Sequence, residues 1–200
     1  MSEKRRTRGG QPTLTAGDWA EAALQLLAER GVAALTVDAL AARLGVTKGS
    51  FYWHFADRAA LLQAALERWE RRSTDEAAAA LAAIADPHRR LDLLFGAWLQ
   101  APRSRSLYVA LSGATDDPAV GAALRRVATR RVEFLARTYR ETGLDPGAAA
   151  DRALLTYSAY LGLLQVAAQA PGLVPAGAAL ERYRRHVRER LLPRARRGRS

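Results

Sequence analysis

Two hundred residues allow one medium domain or two small ones, and an apolar fraction of 49% suffices for a core. The chain has no cysteine, which excludes a disulfide framework, a cysteine nucleophile and a thiolate metal site. The net charge of +11 is concentrated at the two ends: Lys4, Arg5, Arg6 and Arg8 stand against Glu3, and nine arginines in the last twenty residues stand against Glu181 and Glu189. The body between them is nearly balanced, so any bulk attraction to a polyanion belongs mainly to the ends. No apolar run approaches a membrane span, and Met-Ser-Glu-Lys-Arg-Arg lacks the apolar core of a signal peptide. These features predict a cytoplasmic protein with no membrane partner.

Ala and Leu dominate and β-branched residues are few, so the expected class is all-α, with about nine helices and no strand. Residues 1–12, with Gly9-Gly10 and Pro12, read as a basic arm. Such an arm can lie on phosphate or enter a minor groove, or it can simply be solvated. Leu14 to Arg30 is the first helix, with Trp19, Ala22, Ala23, Leu26 and Leu27 inward and Gly31 as its stop. A two-helix unit follows. Asp57 to about Ile84 is a long helix with a possible break at Ser73-Thr74-Asp75. Further helices are expected over His88–Gln100, ended by Pro102, over about Ser104–Ser112, and from Asp117-Pro118 to Glu141. The last two are Pro146–Gln169 and Pro175–Leu192, and residues 194–200 are a basic tail.

The two-helix unit is the most informative segment. Thr36 can cap a helix whose first turn carries Asp38, a favourable site for a carboxylate. Val37, Leu40, Ala41 and Leu44 form its apolar face, and Gly45 stands where a helix ends in a left-handed residue. Thr47 can cap a second, short helix that begins Lys48-Gly49-Ser50. Phe51, Tyr52, Trp53, His54 and Phe55 then occupy five consecutive positions in a chain that is 7% aromatic. Phe51 and Phe55, four apart, share a face and should point inward. Tyr52 and His54 fall off that face, and Trp53 is expected to brace the short helix against its neighbours. A helix pair used only for packing would explain Leu40, Leu44, Gly45, Val46 and Phe51. It would not explain so short and aromatic a second helix with polar groups at its exposed start. A helix pair of this kind places its second helix in the major groove of DNA.

The run Leu-Gly-Val-Thr-Lys-Gly-Ser-Phe-Tyr-Trp-His-Phe-Ala-Asp-Arg, Leu44 to Arg58, resembles the signature of TetR-family transcriptional regulators. Gly31 to Thr36 and Trp19 to Leu27 also fit that family, so the resemblance covers residues 14 to 70. Over residues 75 to 200 it is one of layout. It implies an N-terminal three-helix helix-turn-helix domain at residues 13–70 and a C-terminal helical ligand-binding and dimerisation domain at 71–193. By the resemblance, Thr47, Lys48, Gly49, Ser50, Tyr52 and His54 face the operator, with Tyr and His on phosphates or thymine methyls. Lys48 is a candidate reader of the guanine acceptor pair. Thr36 falls where the family approaches phosphate. Arg58 falls where it commonly has a phosphate-binding Lys. Asp38 near phosphate would be repulsive, and it reads better as a helix-dipole partner.

The helix over 146–169 is apolar over most of its circumference, and Ser158 and Gly162, four apart, permit close helix approach. The final helix offers Leu180, Tyr183, Val187 and Leu191 as a matching stripe. The resemblance implies that these two helices pair with their copies in a homodimer. Phe95, Trp98, Tyr108, Phe134, Tyr157 and Tyr160 are candidates to line a small-molecule cavity, although each is individually consistent with plain core. The expected function is a ligand-responsive DNA-binding regulator: a homodimeric repressor released from a double-stranded operator by a small-molecule effector that shifts the helix of residues 57–84. The alternative is a ligand-independent or architectural DNA-binding protein relying on its basic ends. No enzyme and no cofactor are expected: His54, His88 and His186 lack metal-ligand spacing, and no phosphate-cradling glycine loop or serine nucleophile motif is present.

Overall fold

The computed structural model describes residues 7–8, 11–12, 14–98 and 102–192, so most of the basic arm and all of the tail lie outside the described residues. The fold is all-α. Its helices are α1 (Ala16–Arg30), α2 (Val37–Leu44), α3 (Lys48–Tyr52), α4 (Arg58–Glu70), α5 (Glu76–Ala82), α6 (Pro87–Trp98), α7 (Pro102–Ser112), α8 (Pro118–Glu141), α9 (Pro146–Gln169) and α10 (Gly177–Leu191). Among the described residues the only sheet is a two-residue pairing of Thr7–Arg8 with Gln11–Pro12.

Local chemistry sets the helix ends. At α1, Thr15 Oγ1 accepts from the Asp18 amide at 3.2 Å while Asp18 Oδ2 accepts from the Thr15 amide at 2.8 Å, a reciprocal capping box. Asp57, Asp117 and Asp145 cap α4, α8 and α9 in the same sense, each accepting from amides of the first turn. Pro102, expected to end a helix, instead occupies the first turn of α7, where its missing amide proton costs nothing. The expected long helix is interrupted by a π-helical turn over Arg71–Asp75, which divides it into α4 and α5. The break falls on the Ser73-Thr74-Asp75 triplet. Ser73 Oγ donates to the Trp69 carbonyl at 2.7 Å, a side-chain bond that competes with the regular helical ladder.

Two apolar cores organise the chain. The first joins Trp19, Leu27, Leu35, Leu40, Phe51, Leu62 and Leu66 of the N-terminal helices to Leu107, Leu111, Val120 and Val127 of α7 and α8. It therefore runs across the boundary expected at residue 70, and α1 packs directly on α7. The second core joins Leu91, Phe95, Leu135, Tyr139, Tyr157 and Leu191 around the α8–α9 pair. Tyr139 ties its elements together: its hydroxyl lies 2.7 Å from Thr156 Oγ1 on α9 and donates to the Leu191 carbonyl on α10 at 3.2 Å.

Candidate nucleic-acid interface

The turn between α2 and α3 is built as a Schellman motif. Gly45 takes φ +67°, ψ +33°, and the Val46 amide donates to the Ala41 carbonyl at 3.0 Å. Only glycine adopts that conformation without a Cβ penalty. The turn directs α3 so that Phe51 is fully buried, edge-on to Trp19 with ring centroids 5.4 Å apart, and Phe55 packs 5.7 Å from Phe51. The most exposed aromatic groups among the described residues then lie on the other side. Tyr52 is 63% exposed and Trp53 is 87% exposed.

Trp53 therefore does not brace the short helix, as its position had suggested. It stands at the C-cap of α3, where the chain turns out of the helix, and its indole faces solvent. His54 is half-buried beside it, its amide donating to the Phe51 carbonyl at 2.9 Å.

At the other end of α3, Thr47 occupies the N-cap with extended backbone, yet its hydroxyl makes no capping bond. The expected cap is thus geometric only, and Thr47 is exposed. Thr36 does cap α2, accepting from the Ala39 amide at 3.1 Å. Gly49 is helical with no positive φ, and a Cβ there would meet nothing closer than Thr47 Oγ1 at 3.7 Å. Neither conformation nor crowding in the free protein requires a glycine at that position. Ser50 is half-buried on the same turn, its amide bonded to the Thr47 carbonyl at 3.0 Å. Lys48 extends from α3 to form an ion pair with Asp38 in the first turn of α2. The hydrogen bond to Asp38 and its charge hold the Lys48 ammonium above its ordinary pKa.

Two arginines fix the unit to its supports. Arg43 makes a two-pronged contact with Glu29 of α1, at 2.7 and 2.8 Å. Arg58 donates from Nε to the Leu35 carbonyl at 2.6 Å and from Nη2 to the Val32 carbonyl at 2.9 Å. The structure thus gives Arg58 an anchoring role that its place in the sequence did not reveal.

The aromatic residues expected around a small-molecule cavity divide. One cavity of about 660 Å³ lies between α6, α9 and α10 and has Phe95 and Tyr160 on its wall. A second, also about 660 Å³, lies between the π turn, α5, α6 and α8, with Phe134 and Tyr160 on its wall. Both fall within the size range of small-molecule sites. Tyr108 and Tyr157 line neither: Tyr108 packs near Trp69 at 6.4 Å, and Tyr157 is buried in the second core, 6.4 Å from Tyr160. The side chain of Trp98 lies outside the described residues.

On the far face of α9, Leu154 and Leu155 are 58% and 56% exposed, and a Cβ at Gly162 would meet only open space. On α10, Val187 and Leu191 turn into the protein's own core, so the stripe expected to match a partner is partly consumed internally. No helix among the described residues is long and apolar enough to cross a membrane.

Comparison with known proteins places this geometry. The family model for bacterial regulatory proteins, tetR family, matches residues 20–65. Over 46 residues the chain is 54% identical to the tetracycline repressor protein class A from transposon 1721 of Escherichia coli, a match covering 23% of this chain and 21% of that protein. The chain thus spans about a fifth of the length of the curated relatives it matches in this segment. Over the whole fold, the chain is similar to a TetR-family transcriptional regulator from Agrobacterium tumefaciens, with a TM-score of 0.69, 19% identity and coverage of 89% of this chain and 97% of that one. It is also similar to a transcriptional regulator from Saccharomonospora viridis solved in complex with choline, with a TM-score of 0.67, 22% identity and coverage of 87% and 93%. Residues 20–65 thus form the helix-turn-helix segment described by the family model for bacterial regulatory proteins, tetR family, and the rest of the chain shares the fold of the solved regulators.

Proposed function

We propose that this protein is a cytoplasmic, homodimeric transcriptional repressor that leaves its operator when a small molecule binds the C-terminal helices. The observation that carries the DNA-reading half is the division of one short aromatic run. Phe51 and Phe55 are buried, while Tyr52, Trp53 and Thr47, whose hydroxyl makes no capping bond, are exposed on and beside the helix that follows the Schellman turn. Thr36, Lys48, Gly49, Ser50 and His54 complete the surface that meets the duplex, with phosphate contacts positioning the helix and Lys48 reading base edges. Arg58 supports this surface from behind through the 32–35 segment.

The apolar face of α9, with Leu154, Leu155 and Gly162, supports dimerisation with a second copy, α10 flanking it. Two copies would set their α3 helices about 34–36 Å apart, one turn of the duplex. The cavity bordered by the π turn supports the effector site, because that turn is continuous with α4. Arg68 and Arg72, on either side of the junction, both bond Glu21 of α1, at 2.8 and 2.6 Å. A change in the cavity's wall thus reaches α1, and the ligand shifts the balance of two states by its differential affinity for them. The choline complex of a structural neighbour supports a fold that holds a small molecule. The repressor name of the Escherichia coli relative supports the sign of regulation.

Selection of bound duplexes from random DNA by the full chain tests this reading. The expected product is an inverted repeat with half-site centres about one helical turn apart. Recovery of no preferred sequence, with binding that only tracks salt, would support a nonspecific binder instead.

A further inference from the structure

We propose that the cavity beside the π turn binds a small amphipathic anion, its acidic group held by Arg131 and Arg137 of α8 and its apolar body by Leu81, Leu94 and Phe134. This inference rests on the reading of that cavity as the effector site, and it names the chemistry of the effector.

The charges on the cavity wall are Arg72, Arg130, Arg131 and Arg137 against Asp75 and Glu133. Two of the four cations are already matched: Arg72 pairs with Glu21, and Arg130 with Asp75 at 3.1 Å. Arg131 and Arg137 form no ion pair among the described residues. The donors of Arg131 are spent on neutral oxygens, from Nε to Thr74 Oγ1 at 3.2 Å and from Nη2 to the Ser73 carbonyl and hydroxyl at 3.1 and 3.3 Å. Arg137 is held over the Phe134 ring, 5.6 Å from its centroid. A cation stacked on an aromatic wall next to an apolar chamber is a receptor for a carboxylate or similar anion with a hydrophobic body. Glu133 is exposed and is the one carboxylate on the wall without a partner among the described residues. It disfavours a dianion more than a monoanion.

The same geometry supplies the response. Arg131 is bonded to Ser73 and Thr74, residues inside the π turn, and the turn's Arg72 is bonded to Glu21 of the DNA-binding domain. An acidic group offers Arg131 charge-assisted bonds, about twice as strong as those to neutral oxygens. Its arrival withdraws Arg131 from the turn. The turn is then free to regularise, which changes the pitch between α4 and α5.

The test uses the full chain without DNA and three probes matched in shape: 4-phenylbutyrate, 4-phenylbutylamine and 4-phenylbutanol, titrated by calorimetry. Saturable binding of one 4-phenylbutyrate per chain is expected, with the amine and the alcohol at least about tenfold weaker. Arg137→Gln, at an exposed residue with no ion-pair partner, should fold normally and lose about tenfold in affinity for the carboxylate. Arg131→Gln should lose affinity similarly. Equal or tighter binding of the amine or the alcohol, no binding of the carboxylate, or indifference to Arg137→Gln would overturn the anion assignment and leave the effector reading standing on other chemistry. A parallel titration of an operator duplex, with and without saturating 4-phenylbutyrate, separates the two readings: if the carboxylate binds through Arg137 yet leaves DNA affinity unchanged, the assignment stands and the effector reading fails.

Discussion

The Nζ of Lys48 and the carboxylate of Asp38 form an ion pair that spans the helix-turn-helix corner, from the first turn of α3 to the first turn of α2. Both groups are largely exposed. The pair therefore contributes little to stability, but it occupies the one ammonium on α3. On the proposed reading, Lys48 leaves Asp38 to reach a base edge, and the Asp38 charge is then uncompensated near the duplex. Asp38→Asn should tighten operator binding by roughly two- to fivefold, the range of an exposed pair. Lys48→Ala should weaken it by about tenfold or more and relax discrimination at the contacted guanine. Equilibrium titrations of a labelled duplex at fixed salt read both effects. The raised pKa of Lys48 keeps the pair intact across the neutral range: its contribution is full below the ordinary lysine value and is lost only as pH rises through the folded value.

Gly49 separates folding from reading. Its backbone is helical and a Cβ would make only an ordinary contact with Thr47 Oγ1. Gly49→Ala should therefore raise stability, by roughly 0.5–1 kcal/mol, through the lower entropy of the unfolded chain. If the small residue is there for the approach of DNA, the same variant should bind the operator at least about tenfold more weakly, one lost close contact being worth 1–3 kcal/mol. Thermal unfolding and duplex titration on one sample separate the two results. A stabilised variant with unchanged affinity would remove Gly49 from the interface.

The hydroxyls of Tyr139 and Tyr157 make opposite predictions. Tyr139 bonds Thr156 and the Leu191 carbonyl, so Tyr139→Phe should cost about 1–2 kcal/mol. The Tyr157 hydroxyl is buried and makes no hydrogen bond of good geometry among the described residues. Burial, reinforced by the neighbouring Tyr108 phenol, pushes its pKa above the ordinary value. Tyr157→Phe should be neutral or stabilising by up to about 1 kcal/mol. A phenol raised in the folded state favours folding fully below about pH 10 and loses that contribution as pH rises further, because the unfolded chain ionises first. The wild type should accordingly lose stability above about pH 10 more steeply than Tyr157→Phe. Denaturant melts at neutral and alkaline pH measure the difference.

The α9 face gives a test of assembly. Leu154 and Leu155 are exposed in the single chain, so the double variant Leu154→Arg, Leu155→Arg should retain its helical signal. Sedimentation should show the wild type as a dimer and the variant as a monomer, with operator affinity reduced in step because two half-sites are no longer engaged together. An unchanged sedimentation coefficient would place the interface elsewhere.

Much of this was legible in the sequence where side-chain spacing alone carries the signal. The four-residue step from Phe51 to Phe55 marked the buried face of α3, and Leu44-Gly45-Val46 marked the turn. The Ser73-Thr74-Asp75 triplet marked the break that the structure shows as a π turn, since hydroxyl and carboxylate side chains compete with the helix ladder. The exposure of Trp53 is not legible in the sequence because it lies where α3 ends, and periodicity says nothing of a residue that leaves the helix. The anchoring by Arg58 was invisible because its acceptors are backbone carbonyls 23 and 26 residues away, which leave no side-chain signature. Tyr108 and Tyr157 fell away from the cavities because an aromatic at helical spacing looks the same in a core as on a pocket wall. Spacing alone does not single out Arg131 and Arg137 either, for the converse reason. Their neighbours Arg126 and Arg130 pair with Glu70 and Asp75, and only the fold shows which arginines of α8 are left over.

Tyr52→Ala tests most directly whether the outward face of α3 meets DNA. The side chain is exposed, so the variant should unfold at the wild-type temperature. Anisotropy titration of a duplex recovered by selection should show at least about a tenfold loss of affinity, the loss expected when a positioned contact worth 1–3 kcal/mol is removed. Affinity equal to the wild type, with folding intact, would contradict the assignment of α3 as the reading helix.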